Sequence, residues 1–412
     1  SAAAGFNGFD TTPFDSYIYQ PGQPGFRPAY ADIMDPDFEL PKDMKMSIGM
    51  DWELGDGWYF SADYLKTETD KDLHFKQLRL GNPAFAGSVN CPEIGNSVSN
   101  MPIGTAVDGR QIYADYSYCG KAMEKFYDGR GYDMLLTNTD KGHSDLVSLS
   151  MAKAWDSWDI YASYTWQDVQ TVGNLSSSRN ISNFKYTTKY ADFNEDVLHR
   201  SIYSREHTFN FVANYTKYFF DNHPTIFTFV GAAVSGEPFS YTFGNYKDGA
   251  LWGLDKDSTR DATAAFYVPN GDVVVPSYFQ SDLDSYIAAA GLSGYAGGFA
   301  PINGFETDWN YRLDFKLTQE FPGLGLTDKD KFVLTLDVEN LLNLIDSEYG
   351  RQTKASGSDR SIAEAVPVSL GDGNFTYEYK PAYKMSLGKV DNEVTNYYRS
   401  LYRIQLGFKY MF

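Results

Sequence analysis

The sequence has no long hydrophobic run. No stretch approaches the roughly 18 continuous apolar residues that are typical of a transmembrane helix, and the mean hydropathy is −0.42. Membrane-spanning helices are therefore excluded. The membrane itself is not excluded, because a β-barrel carries its apolar band in every second residue.

Positive charge and cysteine are also scarce. The net charge is −19, which argues against a nucleic-acid partner, since nucleic-acid binders need a positive surface. The two cysteines, Cys91 and Cys119, share one polar, glycine-rich region. In an oxidising compartment we expect them to form a disulfide, and two free thiols are the alternative.

Catalytic signatures are missing. There is no G-x-S-x-G, H-E-x-x-H or Walker motif, and the five histidines lack metal-ligand spacing. We therefore expect no enzymatic activity and no cofactor. The one weak metal motif is Asp255-x-Asp257-x-x-x-Asp261, whose oxygens could bind Ca²⁺. It lacks the glycine and distal glutamate of an EF-hand, and a solvated acidic loop is the alternative.

Aromatic residues, in contrast, are abundant: the chain has 32 Tyr, 29 Phe and 7 Trp. In the last stretch they alternate with other residues at Tyr402, Ile404, Leu406, Phe408, Tyr410 and Phe412. Successive side chains of a strand point to opposite faces, so this stretch predicts a strand with one apolar face. Such a strand invites aggregation if it lies uncovered in water, whereas a membrane barrel requires it.

The same alternation recurs along the chain. It predicts nine strands at residues 44–54, 58–66, 144–155, 158–170, 206–220, 225–244, 307–321, 331–345 and 400–412. Residues 1–43 have no periodicity and are interpreted as an extracellular loop. Short turns alternate with long segments, which is the asymmetry of outer-membrane barrels. Trp and Tyr cluster at the short turns, where an interfacial belt belongs. We therefore predict an all-β fold, a transmembrane antiparallel β-barrel, over a secreted all-β domain.

Charged residues lie at mid-strand on the other face. They are Arg312, Asp314, Lys316, Asp337, Glu339 and Arg403. A dry core could not bury them unpaired, whereas a wet lumen can. We predict that this lumen-facing row contacts a plug or lines a polar path; ion pairing within the row is the alternative.

Nine strands are an odd number. Single-chain bacterial barrels have an even number, and unpaired strand edges are not tolerated in lipid. We therefore expect the chain to be the C-terminal part of a larger polypeptide or one of two pieces, with the missing N-terminal strands in cis or on a second chain. A further strand within Asn374 to Leu387 would change this count.

Several short motifs carry a family resemblance. They are Asp35-Pro36-Asp37-Phe38, His207-Thr208-Phe209, Ser235-Gly236-Glu237-Pro238-Phe239-Ser240-Tyr241, Phe266-Tyr267-Val268-Pro269-Asn270, Gln319-Glu320-Phe321-Pro322-Gly323-Leu324, Asp337-Val338-Glu339-Asn340-Leu341-Leu342-Asn343 and Tyr349-Gly350-Arg351. Together with the terminal strand they resemble the C-terminal barrel of a TonB-dependent outer-membrane transporter, and of its Oar-like branch, whose plug follows a carboxypeptidase-regulatory-like domain.

The resemblance implies a 22-stranded barrel, in which these strands would be numbers 14 to 22. It implies a Gram-negative outer membrane, with its bilayer and lipopolysaccharide, and a TonB complex that acts through a plug absent from this chain. Tyr402, Phe408, Tyr410 and Phe412 look like the signal that the barrel-assembly machinery reads. We expect His207 to be structural, and Asn340 and Asn343 to hold backbone rather than substrate.

Three functions remain open. The first is TonB-energised import of a scarce, bulky substrate, with the long loops as receptor, because binding function concentrates in loops on a rigid scaffold. The second is a structural or adhesive surface protein, and the third is a passive porin.

Overall fold

The computed structural model describes residues 32–78, 80–81, 89–91, 96–98, 102–113, 134–220, 222–244, 249–252, 264–327, 329–355, 359–382, 393–395 and 397–412. Strand accounts for 56% and helix for 12%, so the chain is predominantly β, in agreement with the predicted class. None of the helices in these ranges is long and apolar enough to span a membrane.

The described strands and helices are as follows. In chain order the strands are β1 (Asp32–Met34), β2 (Lys42–Leu54), β3 (Trp58–Gln77), β4 (Val89–Cys91), β5 (Asn96–Val98), β6 (Gly104–Ala106), β7 (Gln111–Ile112), β8 (Met134–Thr139), β9 (His143–Ala154), β10 (Trp158–Thr171), β11 (His199–Arg200), β12 (His207–Phe220), β13 (His223–Val234), β14 (Pro238–Phe243), β15 (Phe305–Glu306), β16 (Asn310–Pro322), β17 (Lys331–Glu339), β18 (Thr353–Ala355), β19 (Asp359–Gly371), β20 (Asn374–Pro381), β21 (Glu393–Thr395) and β22 (Arg403–Met411). The α-helices are α1 (Asn180–Lys185), α2 (Ser277–Ala289), α3 (Leu341–Ile345) and α4 (Tyr397–Ser400).

A meander of antiparallel strands organises the molecule. Its strands are β2, β3, β9, β10, β12, β13, β16, β17 and β22, each hydrogen-bonded to the next in this order. Short turns join β2 to β3, β9 to β10, β12 to β13 and β16 to β17; we call that end of the meander the turn end. The long segments leave from the other end, which we call the cap end. There β1 and β8 extend the sheet beside β3, and β11 pairs with β10.

The strand register gives the meander two different faces. One row that crosses neighbouring strands consists of Phe60, Met151, Ala162, Phe211, Gly231 and Leu313. The next row consists of Ser61, Ser150, Ser163, Asn210, Ala232 and Arg312. Since paired residues point to the same side, the first row belongs to an apolar face and the second to a polar face.

The apolar face is open to the surroundings. On interior strands, Leu149 and Phe209 are each 46% exposed, and on the edge strands Ile48 and Leu406 are each 71% exposed. No described element therefore covers these side chains. Side chains pack along the face instead, and the Phe211 ring lies over Gly231, where a Cβ would stand 1.9 Å from Phe211 Cε1.

A second β structure lies at the cap end. The described part of the long segments forms a sheet in the order β15, β14, β19, β20, β6 and β7, with two small strand pairs, β18 with β21 and β4 with β5. Helix α2 packs its buried Phe279 and Leu283 into the same core. We call the sheet, α2 and the residues packed around them the cap.

The buried core belongs to the cap rather than to the meander. Its largest enclosed side chains include Tyr241, Phe243, Phe266, Tyr377 and Tyr379. The hydrophobic effect therefore holds the cap together in the way of an ordinary globular domain. Burial in a hydrophobic core does not account for the apolar face of the meander, because that face is open.

Three of the expected ranges differ from the observed elements. The range 225–244 is two strands, β13 and β14, because Ser235-Gly236-Glu237 lies outside the ladder and Pro238, the first residue of β14, lacks an N–H. The range 331–345 ends as a strand at Glu339, since Asn340 turns left-handed with φ 53° and α3 follows. Within the expected loop 1–43, residues Asp32–Met34 form β1; residues 1–31 lie outside the described part.

One further boundary shifts, and one suspected strand lies outside the meander. Strand β3 continues eleven residues beyond the expected end at residue 66, to Gln77, where it pairs with β8. The suspected strand after Asn374 exists as β20, but it pairs with β19 and β6 in the cap and not with the meander.

Candidate functional site

The predicted charged row forms ion pairs on the polar face, in one group of four residues and one separate pair. Arg312 Nε donates to both carboxylate oxygens of Asp314 at 2.9 Å, and Arg312 Nη2 lies 3.9 Å from Glu339 Oε2. Arg403 Nη1 lies 3.8 Å from the same oxygen of Glu339. Strands β16, β17 and β22 thus bring these four side chains together across their ladders.

The remaining two residues of the row pair with each other. Lys316 Nζ lies 3.1 Å from Asp337 Oδ1, directly across the β16–β17 ladder. The side chains of the network are between 29% and 63% exposed, so each pair contributes only about 0–1 kcal/mol. The row thus holds three cations and three anions, so its formal charges balance.

Asn340 fixes the backbone at the cap end of this network. Its N–H donates to Asp314 Oδ1 at 2.7 Å, and its Nδ2 donates to the carbonyls of Gly350 and Ser400 at 2.9 and 2.7 Å. Gly350 has φ 62°, and a Cβ there would stand 2.2 Å from Asn340 Oδ1. These contacts have the backbone-holding role expected of Asn340, and they tie the end of β17 to the start of β22.

Aromatic clusters lie at both ends of the apolar face. At the turn end, the rings of Trp58 and Trp155 meet edge to face at 5.8 Å. At the cap end, His207 stacks between Tyr164 and Trp309, with interplanar angles of 16° and 9°. His207 Nδ1 also forms a hydrogen bond with the Tyr164 hydroxyl at 2.9 Å, so ring stacking and this bond give His207 the structural role expected of it.

The charges that bound the apolar face on β9 lie eight positions apart along the strand. Asp145 stands at its cap end and Lys153 at its turn end, with Val147, Leu149 and Met151 between them. Eight residues of strand span roughly 27 Å, and at a tilt of about 40° the apolar band is about 21 Å tall. This height is close to the ~25 Å apolar band of transmembrane barrels.

Inside the cap, an ion pair is wholly enclosed. Arg110 Nη1 lies 2.7 Å from Asp108 Oδ2, and neither side chain has exposed surface. Asp108 also accepts the Tyr377 hydroxyl at 2.9 Å, and burial raises the pKa of that phenol. Because every group has a partner, this cluster is built to hold the cap together. No motif or local periodicity in the sequence marks Asp108, Arg110 and Tyr377 as a cluster.

A buried lysine lies nearby in the cap. The Lys189 ammonium stands over the Phe184 ring at 5.4 Å, and burial lowers the pKa of Lys189 to about 8. The neighbouring His199 is buried as well, and burial lowers its pKa. Neither residue was singled out by its sequence context.

Two predicted sites lie outside the described residues. The ligand set Asp255, Asp257 and Asp261 falls between residues 252 and 264, and Cys119 falls between residues 113 and 134. The backbone of Cys91 is in β4, but its side chain is not described. In the described ranges, no group of three His, Cys, Asp or Glu side chains could hold a metal ion.

Comparison with known proteins gives no family assignment. No protein-family model and no curated protein matches the chain. The resemblance to TonB-dependent transporters therefore rests on the short motifs alone.

Proposed function

We propose that the meander is part of the wall of a β-barrel in the outer membrane of a Gram-negative bacterium, with its apolar face toward lipid and its polar face toward the lumen. One observation carries this proposal. The register aligns apolar side chains on one face of every meander strand, and that face is open. In water such a surface would drive aggregation; in a bilayer it is required.

The edges of the meander support the same proposal. In the described structure, β2 pairs only with β3, and β22 only with β17. A strand edge in lipid leaves backbone N–H and C=O groups without partners, which costs several kcal/mol for each group. Further strands, in cis or on a second chain, would pair with both edges and close the barrel.

The cap then faces the outside of the cell. Outer-membrane barrels have short periplasmic turns and long extracellular loops. In this orientation the cap is a folded, aromatic-rich surface that an external substrate meets first, and the ion-paired network lies in the wet lumen below it.

The motif resemblance favours TonB-energised import over a surface adhesin or a passive porin. A TonB complex would pull on a plug inside the barrel and open a path for a scarce, bulky substrate. The cap would bind the substrate, and the lumen-facing network would contact the plug. The meander would correspond to the C-terminal strands of a 22-stranded wall.

The test compares a deletion strain with its parent, in the presence and absence of TonB. Growth is measured with peptides, oligosaccharides and metal chelates supplied singly as the limiting nutrient. Import predicts a growth defect on one class of nutrient, equal in size to the defect of the TonB-deficient parent and not additive with it. Ion conductance in planar bilayers without energy would favour a porin. Lost adhesion with normal growth on every nutrient would favour a surface adhesin.

A further inference from the structure

In the described structure the apolar face carries lysines near its turn end, Lys153 on β9 and Lys217 on β12. Lys153 pairs across the ladders with Trp58 on β3 and with Ile160 on β10, so all three side chains point to the apolar face. Its Nζ lies 4.8 Å from the ring centroids of both Trp58 and Trp155. The described part of the chain gives this ammonium two ring contacts and no carboxylate partner.

The direction of the Lys153 side chain is informative. Trp155 follows Lys153 by two residues toward the turn, so contact with its ring means that the side chain runs toward the turn end. A lysine at a membrane surface bends in this way to bring its charge to the head-group layer. Its three N–H donors then need an anion at that depth.

An open groove lies beside Lys153. Its volume is about 880 Å³, and it is lined by Asp56, Lys153, Ala154, Trp155, Asp156, Ser157, Trp158 and Ile160. We call it the turn-end groove. A second groove of about 370 Å³ shares Trp158 with it and is lined by Tyr215, Lys217, Phe219, Phe227 and Phe229. The pair offers a charged compartment beside a mainly aromatic one.

The charges in the turn-end groove are ordered along the strands. Lys153 lies on β9, whereas Asp56 and Asp156 lie in the two hairpin turns, farther from the apolar band. A ligand that matches this order has an apolar part, then an anion, then a cation. Phosphatidylethanolamine has this sequence of acyl chains, phosphate and primary ammonium.

We infer that the turn-end groove binds phosphatidylethanolamine of the periplasm-facing leaflet. Lys153 binds the phosphate, Asp56 and Asp156 accept N–H donors of the ethanolamine, and an acyl chain lies along the aromatic groove beside Trp158. This inference rests on the proposed membrane location. Choline has no N–H to donate and a glycerol head has no cation, so both head groups match the two aspartates less well.

Native mass spectrometry of the full-length protein tests the inference. The protein is released from detergent after equilibration with phospholipids that share the same acyl chains and carry ethanolamine, choline or glycerol heads. A charged contact near the membrane surface is worth about 1 kcal/mol, or roughly fivefold. We expect ethanolamine lipid to be retained about fivefold over choline lipid.

Two variants test the contacts with the phosphate and with the ethanolamine ammonium separately. D56N/D156N removes the preference for ethanolamine over choline, whereas K153Q weakens both lipids about fivefold because both carry a phosphate. The matched controls D159N and K409Q change charges on the polar face of the meander and leave retention unchanged. Preference for the glycerol head, or an ethanolamine preference that survives D56N/D156N, overturns the inference.

A separate measurement distinguishes an error in the lipid site from an error in the proposed membrane location. Tryptophan fluorescence is recorded in vesicles of phosphatidylcholine with brominated chains. Quenching without any head-group preference contradicts only the lipid site. Absence of quenching contradicts the membrane location, and the lipid site with it.

Discussion

A charge placed at the middle of the apolar face distinguishes lipid from water most sharply. Leu149 lies four residues from Asp145 and four from Lys153 on β9, which places it near the middle of the apolar band. For Leu149→Arg we expect a loss of about 2–4 kcal/mol in the free energy of unfolding, the cost of arginine at the midplane of a membrane barrel.

The same substitution would be nearly harmless if this face lay in water. Leu149 is already 46% exposed, and exposed substitutions usually change stability by less than about 0.5 kcal/mol. Ser148→Arg and Ser150→Arg are the matched controls, since these neighbours point to the polar face. There we expect a change below about 1 kcal/mol.

The free energies of unfolding of the three variants are measured by urea unfolding in phospholipid vesicles. Tryptophan fluorescence and heat-modifiable gel mobility monitor the transition. The reasoning is refuted if Leu149→Arg is as stable as its two serine-site controls. It is equally refuted if the serine-site variants are the more damaged ones.

Three further predictions concern the cap and the strand ends. Asn340→Ala removes the two hydrogen bonds that Asn340 Nδ2 donates to the carbonyls of Gly350 and Ser400 and keeps a left-handed backbone without its asparagine, so we expect a loss of about 2–3 kcal/mol in the free energy of unfolding. Asn343→Ala, whose bonds are exposed, should cost below about 1 kcal/mol. Asp108→Asn leaves the enclosed Arg110 guanidinium without a counter-charge, and we expect it to lower the free energy of unfolding by about 3–5 kcal/mol. Lys189→Met should stabilise the cap at pH 7 by roughly 3 kcal/mol, because a pKa lowered from 10.5 to about 8 corresponds to that penalty.

The lowered pKa of Lys189 also predicts how the stability of the cap changes with pH. Between pH 8 and 10.5 the unfolded chain keeps a proton on Lys189 that the folded chain has lost, so wild-type stability should rise with pH across this window. Lys189→Met should remove the rise. The free energy of unfolding of each variant is measured by denaturant unfolding, with limited proteolysis as the readout of the cap. A flat wild-type profile, equal losses for Asn340→Ala and Asn343→Ala, or a stable Asp108→Asn protein would contradict the corresponding argument.

The meander was predictable because its signal is local. On β9, Val147, Leu149 and Met151 alternate with serines, and a period of two needs no knowledge of the partner strand. The charged row was predictable for the same reason, since Arg312, Asp314 and Lys316 occupy alternate positions of one strand.

The cap was not predictable in this way, because its contacts join distant parts of the chain. Tyr377 and Asp108 are hydrogen-bonded across 269 residues, and no local period relates them. One signal was present but unused: Phe279, Leu283, Tyr286 and Ile287 have the spacing of a helix with one buried face, and they form the buried side of α2.

The predicted strand end at residue 345 was wrong for a third reason. An apolar run continues beyond Glu339 through Leu341 and Leu342, so alternation and composition alone extend the strand to residue 345. The left-handed Asn340 ends it, and its conformation depends on the carbonyls of Gly350 and Ser400, which belong to later segments. Tertiary contacts overrode the local pattern there.

The most direct test of the central claim is the periodicity of accessibility along one interior strand. Nitroxide labels are placed singly at positions 208 to 213 of β12 in protein reconstituted into bilayers, and their collisions with oxygen and with a water-soluble nickel chelate are measured. We expect a period of two, with positions 209, 211 and 213 accessible to oxygen in lipid, and 208, 210 and 212 accessible to the chelate. Equal chelate access at all six positions would contradict it.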